Sequence, residues 1–359
     1  MSLAECKKEL QSFLQQSLKE CKVVVMPDFF LDRLINLDWD AAEFSGLVAD
    51  VAKRKGGSLD GISQTDLRGG NAINVASALA HLGVKVTPIV CTSEFGLQQI
   101  KYHFKNTPID TSHIKTRGKA SMTTALEFKN QNEKTNVMLR DLGALADFGP
   151  ASLDDSDYAL IEDADYVCLF NWAGTLKFGT ELAQAVFDGA KGGKGKTYYD
   201  TADPNPNAKV IAGLMDKVLK TDKVDILSLN ENEAITYASL LDEGLREKKE
   251  RLGFAELAME AARVLAKRLP ARIDLHTTVF SATLKGKHEA VVPTFKVKVL
   301  RATGAGDAWC AGNILADNYG FSDECRLMLA NAVAACYLSD ANGLHPTKEK
   351  LSTFLKDNV

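Results

Sequence analysis

Five consecutive residues, Thr303-Gly304-Ala305-Gly306-Asp307, set an acid beside a backbone able to hold an anion. Glycine allows turns tight enough to aim several amide N–H groups at one point. The apolar run Ala308-Trp309-Cys310-Ala311-Gly312 that follows predicts a helix, whose positive N-terminal end adds to the same field. A carboxylate inside such a cradle is not itself the bound anion, so Asp307 reads as a general base beside a hole for developing negative charge. The competing reading is structural: a helix start capped by Thr303 after a glycine turn.

Two further motifs carry chemistry. Arg68-Gly69-Gly70-Asn71-Ala72-Ile73-Asn74 opens an alanine-rich segment ending at Gly83, which predicts a helix started by a diglycine turn and stopped by a glycine cap. The diglycine lets a ligand approach the backbone, and Asn71 and Asn74 share one face of the first turns. Their amides donate to and accept from hydroxyls; helix capping is the plainer use. Asn230-Glu231-Asn232-Glu233 follows the apolar run Val224 to Leu229. That places Asn230 and Glu233 at a strand's carboxyl end, where open α/β sheets gather ligands, although a capping box explains the same residues.

In this order the three motifs resemble the PfkB family of carbohydrate kinases, over about Val23 to Leu355. The resemblance implies a ribokinase-like α/β fold: a largely parallel central sheet covered by helices on both faces, with a small β-stranded lid. It assigns 1–32, 67–110 and 145–359 to the kinase core, and 33–66 with 111–144 to the lid. It makes Asp307 the base that takes the acceptor hydroxyl's proton, with the amides of Ala305, Gly306 and Asp307, after Gly304, holding charge on the transferring phosphoryl group. Asn230, Thr303, Gly306 and Asn331 fall at nucleotide-binding positions, and Glu233 organises magnesium, largely through water. Asp32 becomes the acceptor's anchor, with Gly69, Gly70 and Asn74; Asp28, four residues earlier, takes that role if the first strand ends sooner. ATP is the implied donor, and the family's lids admit a homodimer.

Departures from the family bear on the substrate. Asp274-Leu275-His276-Thr277-Thr278-Val279 stands where relatives carry a short Thr-x-Gly that touches the nucleotide. Arg301-Ala302 replaces the usual Asp-Thr, and that aspartate, six residues before the catalytic one, helps hold potassium in many relatives. An arginine cannot ligate a cation, so a magnesium-dependent enzyme with no monovalent cation is expected. Arg301 either supplies the missing positive charge or turns out to solvent.

The expected activity is ATP-dependent phosphorylation of a hydroxyl on a small polyhydroxylated substrate, a sugar or sugar acid. A nucleoside acceptor is the alternative, with Phe29, Phe30, Trp39 and Phe44 as candidates for a base slot or, equally, for lid core. A catalytically silent sugar-binding relative is a reading of another class, and Asp307 argues against it. Arg68, Arg140 and Lys177 favour an acidic or phosphorylated acceptor if they share a site, and are solvated surface charge if they do not.

The elements that must position these residues alternate along the chain. A helix (Ala4 to Glu20) precedes a strand (Lys22 to Met26); further strands are expected at Val84 to Cys91, Asp165 to Phe170, Lys196 to Asp200, Val224 to Leu229 and Ile273 to Thr283. Helices between them imply parallel strands covered on both faces. Hairpins are expected at Met122 to Arg140, turning at Lys129 to Thr135, and at Ser281 to Phe295. Helices from Gly304, Asp323 and Lys348 close the chain.

Composition agrees. The 359 residues are 45% hydrophobic with a net charge of −4, which gives no footprint for nucleic acid or membrane. Seven scattered cysteines without a C-x-x-C read as buried thiols of a cytoplasmic protein, and six histidines show no zinc spacing. Met1 to Lys22 lacks the apolar core of a signal peptide, and no apolar run reaches the roughly 20 residues that cross a bilayer.

Overall fold

The computed structural model describes residues 2–130, 133–248 and 250–358. In chain order, α1 (Leu3–Leu14), β1 (Lys22–Met26), β2 (Phe30–Asn36), α2 (Ala41–Lys53) and β3 (Ser63–Gly69) lead to α3 (Asn71–His81). Then come β4 (Lys85–Pro88), β5 (Cys91–Thr92), α4 (Glu94–His103), β6 (Lys115–Thr116) and the hairpin β7 (Ser121–Asn130) and β8 (Glu133–Asp141). The middle of the chain forms α5 (Asp155–Asp163), β9 (Tyr166–Phe170), α6 (Gly179–Ala190), β10 (Lys196–Asp200), α7 (Ile211–Leu214), β11 (Ile226–Leu229) and α8 (Glu231–Ser239). After α9 (Gly244–Lys248), α10 (Phe254–Arg268) and β12 (Arg272–His276), the chain closes with β13 (Phe280–Lys285), β14 (His288–Pro293), α11 (Ala305–Asn318), α12 (Asp323–Leu338) and α13 (Lys348–Asn358).

Eight strands form the central sheet in the order β14-β13-β12-β11-β10-β9-β1-β4. From β4 to β12 every neighbouring pair is parallel, and β13 and β14 add an antiparallel edge. The parallel strands are apolar throughout, as strands buried on both faces must be: β9 (Tyr166 to Phe170) and β11 (Ile226 to Leu229) are buried at every position. One apolar core packs α1, α3, α11 and α12 on one face; the other packs α6, α8 and α10 on the opposite face.

A buried ionic cluster ties the sheet to the first of these layers. Asp274 of β12 accepts from Arg272, Thr283, Asn313 and Arg326, and Arg272 also reaches Asp317 at 2.5 Å. The pull of Arg272 and Arg326 outweighs burial and holds the Asp274 carboxyl below its ordinary value. All seven cysteines are buried. Burial pushes the thiols of Cys21, Cys91 and Cys336 up to about 12.

A second sheet of four strands, β3-β2-β7-β8, stands off the first. It begins at Phe30, so Asp32 lies inside it and not on the core side of a boundary at Arg33. The stretch Arg33 to Leu67 is not all strand, because Asp40 caps α2 in a capping box with Glu43. Trp39 stacks on Phe44 at 6.4 Å, and Phe44 meets Phe128 edge-on at 5.9 Å, which fixes α2 to the sheet.

Other boundaries move for local reasons. Helix α1 stops at Leu14 and not near Glu20, since its buried stripe Cys6, Leu10, Phe13 and Leu14 ends there and Gln15 caps it. The run Ile273 to Thr283 breaks into two strands because the Thr277 hydroxyl accepts from the amides of Val279 and Phe280, closing a turn. Val84 to Cys91 likewise divides between β4 and β5. Of the expected hairpin turn at Lys129 to Thr135, Gln131 and Asn132 lie outside the described residues.

Candidate active site

The site forms where α3 and α11 start, side by side beneath the second sheet. Gly70 begins α3 with φ 97° and Gly304 begins α11 with φ 90°, a left-handed conformation that side chains rarely adopt. Both starts are also sterically closed to a side chain. A Cβ at Gly70 would lie 2.9 Å from Phe29 Cα, and one at Gly304 would lie 2.7 Å from the Tyr337 hydroxyl. The residue before α11 is therefore Gly304, and Thr303 does not cap the helix; its carbonyl instead accepts from Tyr337 at 2.8 Å.

Asp307 is 7% exposed, and both its oxygens are held: Asn71 Nδ2 donates to Oδ1 and Asn74 Nδ2 to Oδ2, each at 2.9 Å. Burial raises its carboxyl well above the ordinary value, the two amides oppose that rise, and Asp200 and Asp28 add to it. Two motifs far apart in sequence thus meet at one carboxylate. Of the three amides expected to cradle an anion, that of Ala305 donates to Ala302 O at 3.2 Å. The glycine turn has already engaged it, which leaves Gly306 and Asp307 as the donors facing the helix start.

Asp28 and Asp32, the two candidates for the acceptor's anchor, separate cleanly. Asp28 is fully buried and accepts from the Asn71 and Ala72 amides and from Asn171 Nδ2, at 3.0, 2.9 and 2.7 Å. It completes the N-terminus of α3, supplying the cap that Gly70 cannot. Asp32 lies half-buried on β2 against Gly69, where a Cβ would fall 1.9 Å from its Oδ2. Its Oδ1 is buried without a hydrogen-bond partner. Burial raises the Asp32 carboxyl, against the opposing influence of Thr123, Arg301 and Arg140.

On the other side of α11, Asn230 and Glu233 form a closed capping box at the start of α8. Asn230 Oδ1 accepts from the Glu233 amide at 3.1 Å, and the Glu233 carboxylate accepts from Asn230 Nδ2 and N at 2.7 and 2.9 Å. Burial pushes the Glu233 carboxyl well above its ordinary value, with Asp200, Asp203 and Asp307 adding to the rise. Such a gathering of oxygen donors suits a hard divalent cation. Asp200, His276 and Cys310 also bring one donor atom each within 4.8 Å of one another. Burial keeps the Cys310 thiol protonated, however, and its Sγ donates to Asp200 Oδ2 at 3.5 Å. His276 leans on Trp309 at 5.0 Å and toward Gly306.

Asn331 does not join this site. Its Oδ1 accepts from Ser281 Oγ and Trp309 Nε1 at 2.5 and 2.9 Å, and its Nδ2 donates to Pro293 O at 3.1 Å. With its groups so engaged and 3% exposure, it pins α12 to the edge hairpin. The aromatics offered for a base slot are also engaged: Phe29 is core, Trp39 and Phe44 pack within the second sheet, and Phe30 lies under Arg140 at 5.2 Å. Three participants escaped the sequence reading: Asn71 as a direct partner of Asp307, His345 and Tyr337. The shared helix face of Asn71 and Asn74 was the available signal for the first; nothing local marks the other two.

Comparison with known proteins places this geometry. The model of the pfkB family of carbohydrate kinases matches residues 45–350. A ribokinase of Haemophilus influenzae is 26% identical over 308 residues, covering 84% of this chain and 92% of that protein. Among solved structures, Arabidopsis thaliana ribokinase complexed with ribose and ATP superposes with a TM-score of 0.70 at 18% identity, covering 94% of this chain and 99% of that one. The adenosine kinase of Sinorhizobium meliloti gives 0.68 at 16% identity, over 95% and 99%. Among the described residues no helix is long and apolar enough to cross a membrane. With the two glycine-started helices in place around Asp307, the chain belongs to the pfkB family of carbohydrate kinases and is a kinase of ribokinase-like fold.

Proposed function

We propose that this kinase transfers the terminal phosphoryl group of ATP to a hydroxyl of a small polyhydroxylated substrate, a sugar or sugar acid. The observation that carries the reading is the buried Asp307 carboxylate, held by Asn71 and Asn74 at the start of α11. The acceptor oxygen forms the new P–O bond as the bond to the departing ADP breaks, and the acceptor's proton passes to Asp307. In a loose phosphoryl-transfer transition state that proton moves late, so the base chiefly orients the hydroxyl. Its raised carboxyl also lies nearer an alcohol's pKa than a solvated aspartate would.

The remaining residues bind and position. Asp32 Oδ1 accepts from acceptor hydroxyls, and Gly69 leaves the room it needs. The N–H groups of Gly306 and Asp307 face the phosphoryl oxygens, where the helix end adds its field. Glu233, Asp200 and Asp203 would hold magnesium, which when bound neutralises the charge of the nucleotide's phosphates. The second sheet covers the acceptor and excludes water that would otherwise hydrolyse ATP.

A sugar is favoured over a nucleoside because Phe29, Phe30, Trp39 and Phe44 are packed elsewhere. In this reading two copies pair through the second sheet. Met122, Val137 and Leu139, exposed by 45%, 45% and 56%, fall on one of its faces by strand register. The deciding experiment is ADP release from magnesium ATP across sugars, sugar acids, sugar phosphates and nucleosides. Turnover of nucleosides alone would overturn the sugar reading.

A further inference from the structure

We propose that the acceptor carries an anionic group, a carboxylate or a phosphate monoester, beside the hydroxyl that is phosphorylated, and that Arg68 and Arg301 clamp it. The inference rests on the kinase reading above and narrows its substrate class.

Arg68 sits at the end of β3, one residue before the diglycine. Its Nη2 lies 2.9 Å from His345 Nδ1, and its Nε is buried without a partner. Arg301 precedes α11, half-buried, with its Nη1 2.5 Å from where a Cβ on Gly343 would stand. Both guanidinium groups therefore lean on one loop, Gly343 to His345. Tyr337 stacks on His345 with ring centroids 4.7 Å apart, and its hydroxyl reaches Thr303 O, so the loop also touches the catalytic turn.

Among the described residues neither guanidinium has a carboxylate within the 4.0 Å of an ion pair. The contrast lies inside the same fold: Arg272 and the fully buried Arg326 reach Asp274 at 2.9 and 3.0 Å. His345 offers no counter-charge, because burial and the neighbouring Arg68 hold its pKa well below the ordinary histidine value and keep it neutral. Burial lowers Arg68 from its usual range and Arg301 adds repulsion, while Tyr337 and Asp307 act the other way. Two like charges drawn from water beside each other are unfavourable until an anion comes between them. The planar forks of two arginines match the oxygens of a carboxylate or phosphate. Arg301 also pulls on Asp32, and Asp307 on Arg68, so the two arginines lie within electrostatic reach of anchor and base.

The test is ADP release with matched trios, each a neutral sugar, its carboxylic acid and its phosphate: ribose, ribonate and ribose 5-phosphate; glucose, gluconate and glucose 6-phosphate. The expected kcat/KM for an anionic member exceeds that of its neutral sugar by about 100-fold, and the acid and phosphate arms tell which anion is taken. Arg68→Met and Arg301→Met should each cut that preference roughly 10-fold to 100-fold, with Arg68→Lys keeping part of it. Neutral sugars turned over as well as their anionic counterparts would overturn the clamp and leave the kinase reading intact. A larger rise in KM for ATP than for the acceptor in Arg301→Met would overturn it too. If no acceptor is phosphorylated, calorimetric titration with gluconate and ribose 5-phosphate decides. Binding weakened about tenfold or more in Arg301→Met supports the clamp without turnover, and no binding by the wild type overturns it.

Discussion

Asn74 Nδ2 donates to Asp307 Oδ2 at 2.9 Å, joining the helix that follows the diglycine to the helix that follows the second glycine turn. Asn71 does the same for the other oxygen, one helical turn earlier. The Asp307 carboxylate is therefore held from α3.

Replacing the base separates activity from stability. We predict that Asp307→Asn lowers kcat by roughly 10²–10⁴-fold while the fold survives. A buried acid with a raised pKa binds its proton more tightly folded than unfolded. Its contribution to stability is thus greatest below the ordinary carboxylate range and is lost as pH rises through the folded value. At neutral pH the neutral variant should accordingly melt higher than the wild type. A variant keeping more than about a tenth of kcat would remove Asp307 from the chemistry.

The same shift sets a pH dependence. The acid limb of kcat/KM should lie well above the ordinary aspartate value of about 3.9, because Asp307 must be ionised to accept a proton. A pH–rate profile over a saturating and a limiting acceptor series measures it. A limb centred near 4 would show that the burial of Asp307 is relieved in the working enzyme, or that another group is the base.

Asp32 and Asp28 should fail differently. Asp32→Ala is expected to raise the acceptor's KM about 10-fold to 100-fold and ATP's much less, since it removes a charged hydrogen bond to the acceptor alone. Asp28→Ala removes the cap of α3 and should lower the melting temperature and kcat together. If Asp28→Ala is as stable as wild type and shifts only the acceptor's KM, the two roles are exchanged.

Potassium should matter little. The family resemblance implies that Arg301 takes the place of a cation-binding aspartate, and its half-buried side chain lies against Gly343. Turnover with magnesium ATP at constant ionic strength should be equal in potassium and in a bulky organic cation. Activation of about fivefold or more by potassium would refute this, since a fixed guanidinium repels the ion.

The exposed face of the second sheet gives a prediction about assembly. Leu139→Glu should shift the protein toward monomer in sedimentation velocity, because a charge at a half-exposed apolar position opposes pairing. Identical sedimentation of both proteins would move the interface elsewhere.

Where the sequence was legible, local physics decided the outcome. The glycine turns, the apolar parallel strands and the hairpin at Lys285 to His288 follow from backbone freedom and burial on both faces, and each formed near its expected place. Roles set by distant partners were not legible. Asn331 and Asn74 are the same residue type on similar alanine-rich helices, yet one is consumed by Ser281, Trp309 and Pro293 and the other reaches Asp307. Asp28 and Asp32 differ only in which side of a strand break they fall. The helix within 33–66 was hidden because its apolar residues pack on the second sheet and not on the main core, so none of them is buried.

The diglycine lies between two acids that answer to different bodies. Gly70 packs on the backbone of Asp28, which belongs to the central sheet's end of the chain, and Gly69 packs on Asp32, which rides the second sheet. Any hinging at this pair carries Asp32 with the cover and leaves Asp28, Asn71, Asn74 and Asp307 hydrogen-bonded as they are. On the proposed reading the base is then set before any closure, and the acceptor's anchor arrives with the second sheet. A molecule too small to reach both would find a finished base with nothing to hold it there, which is a way of refusing water.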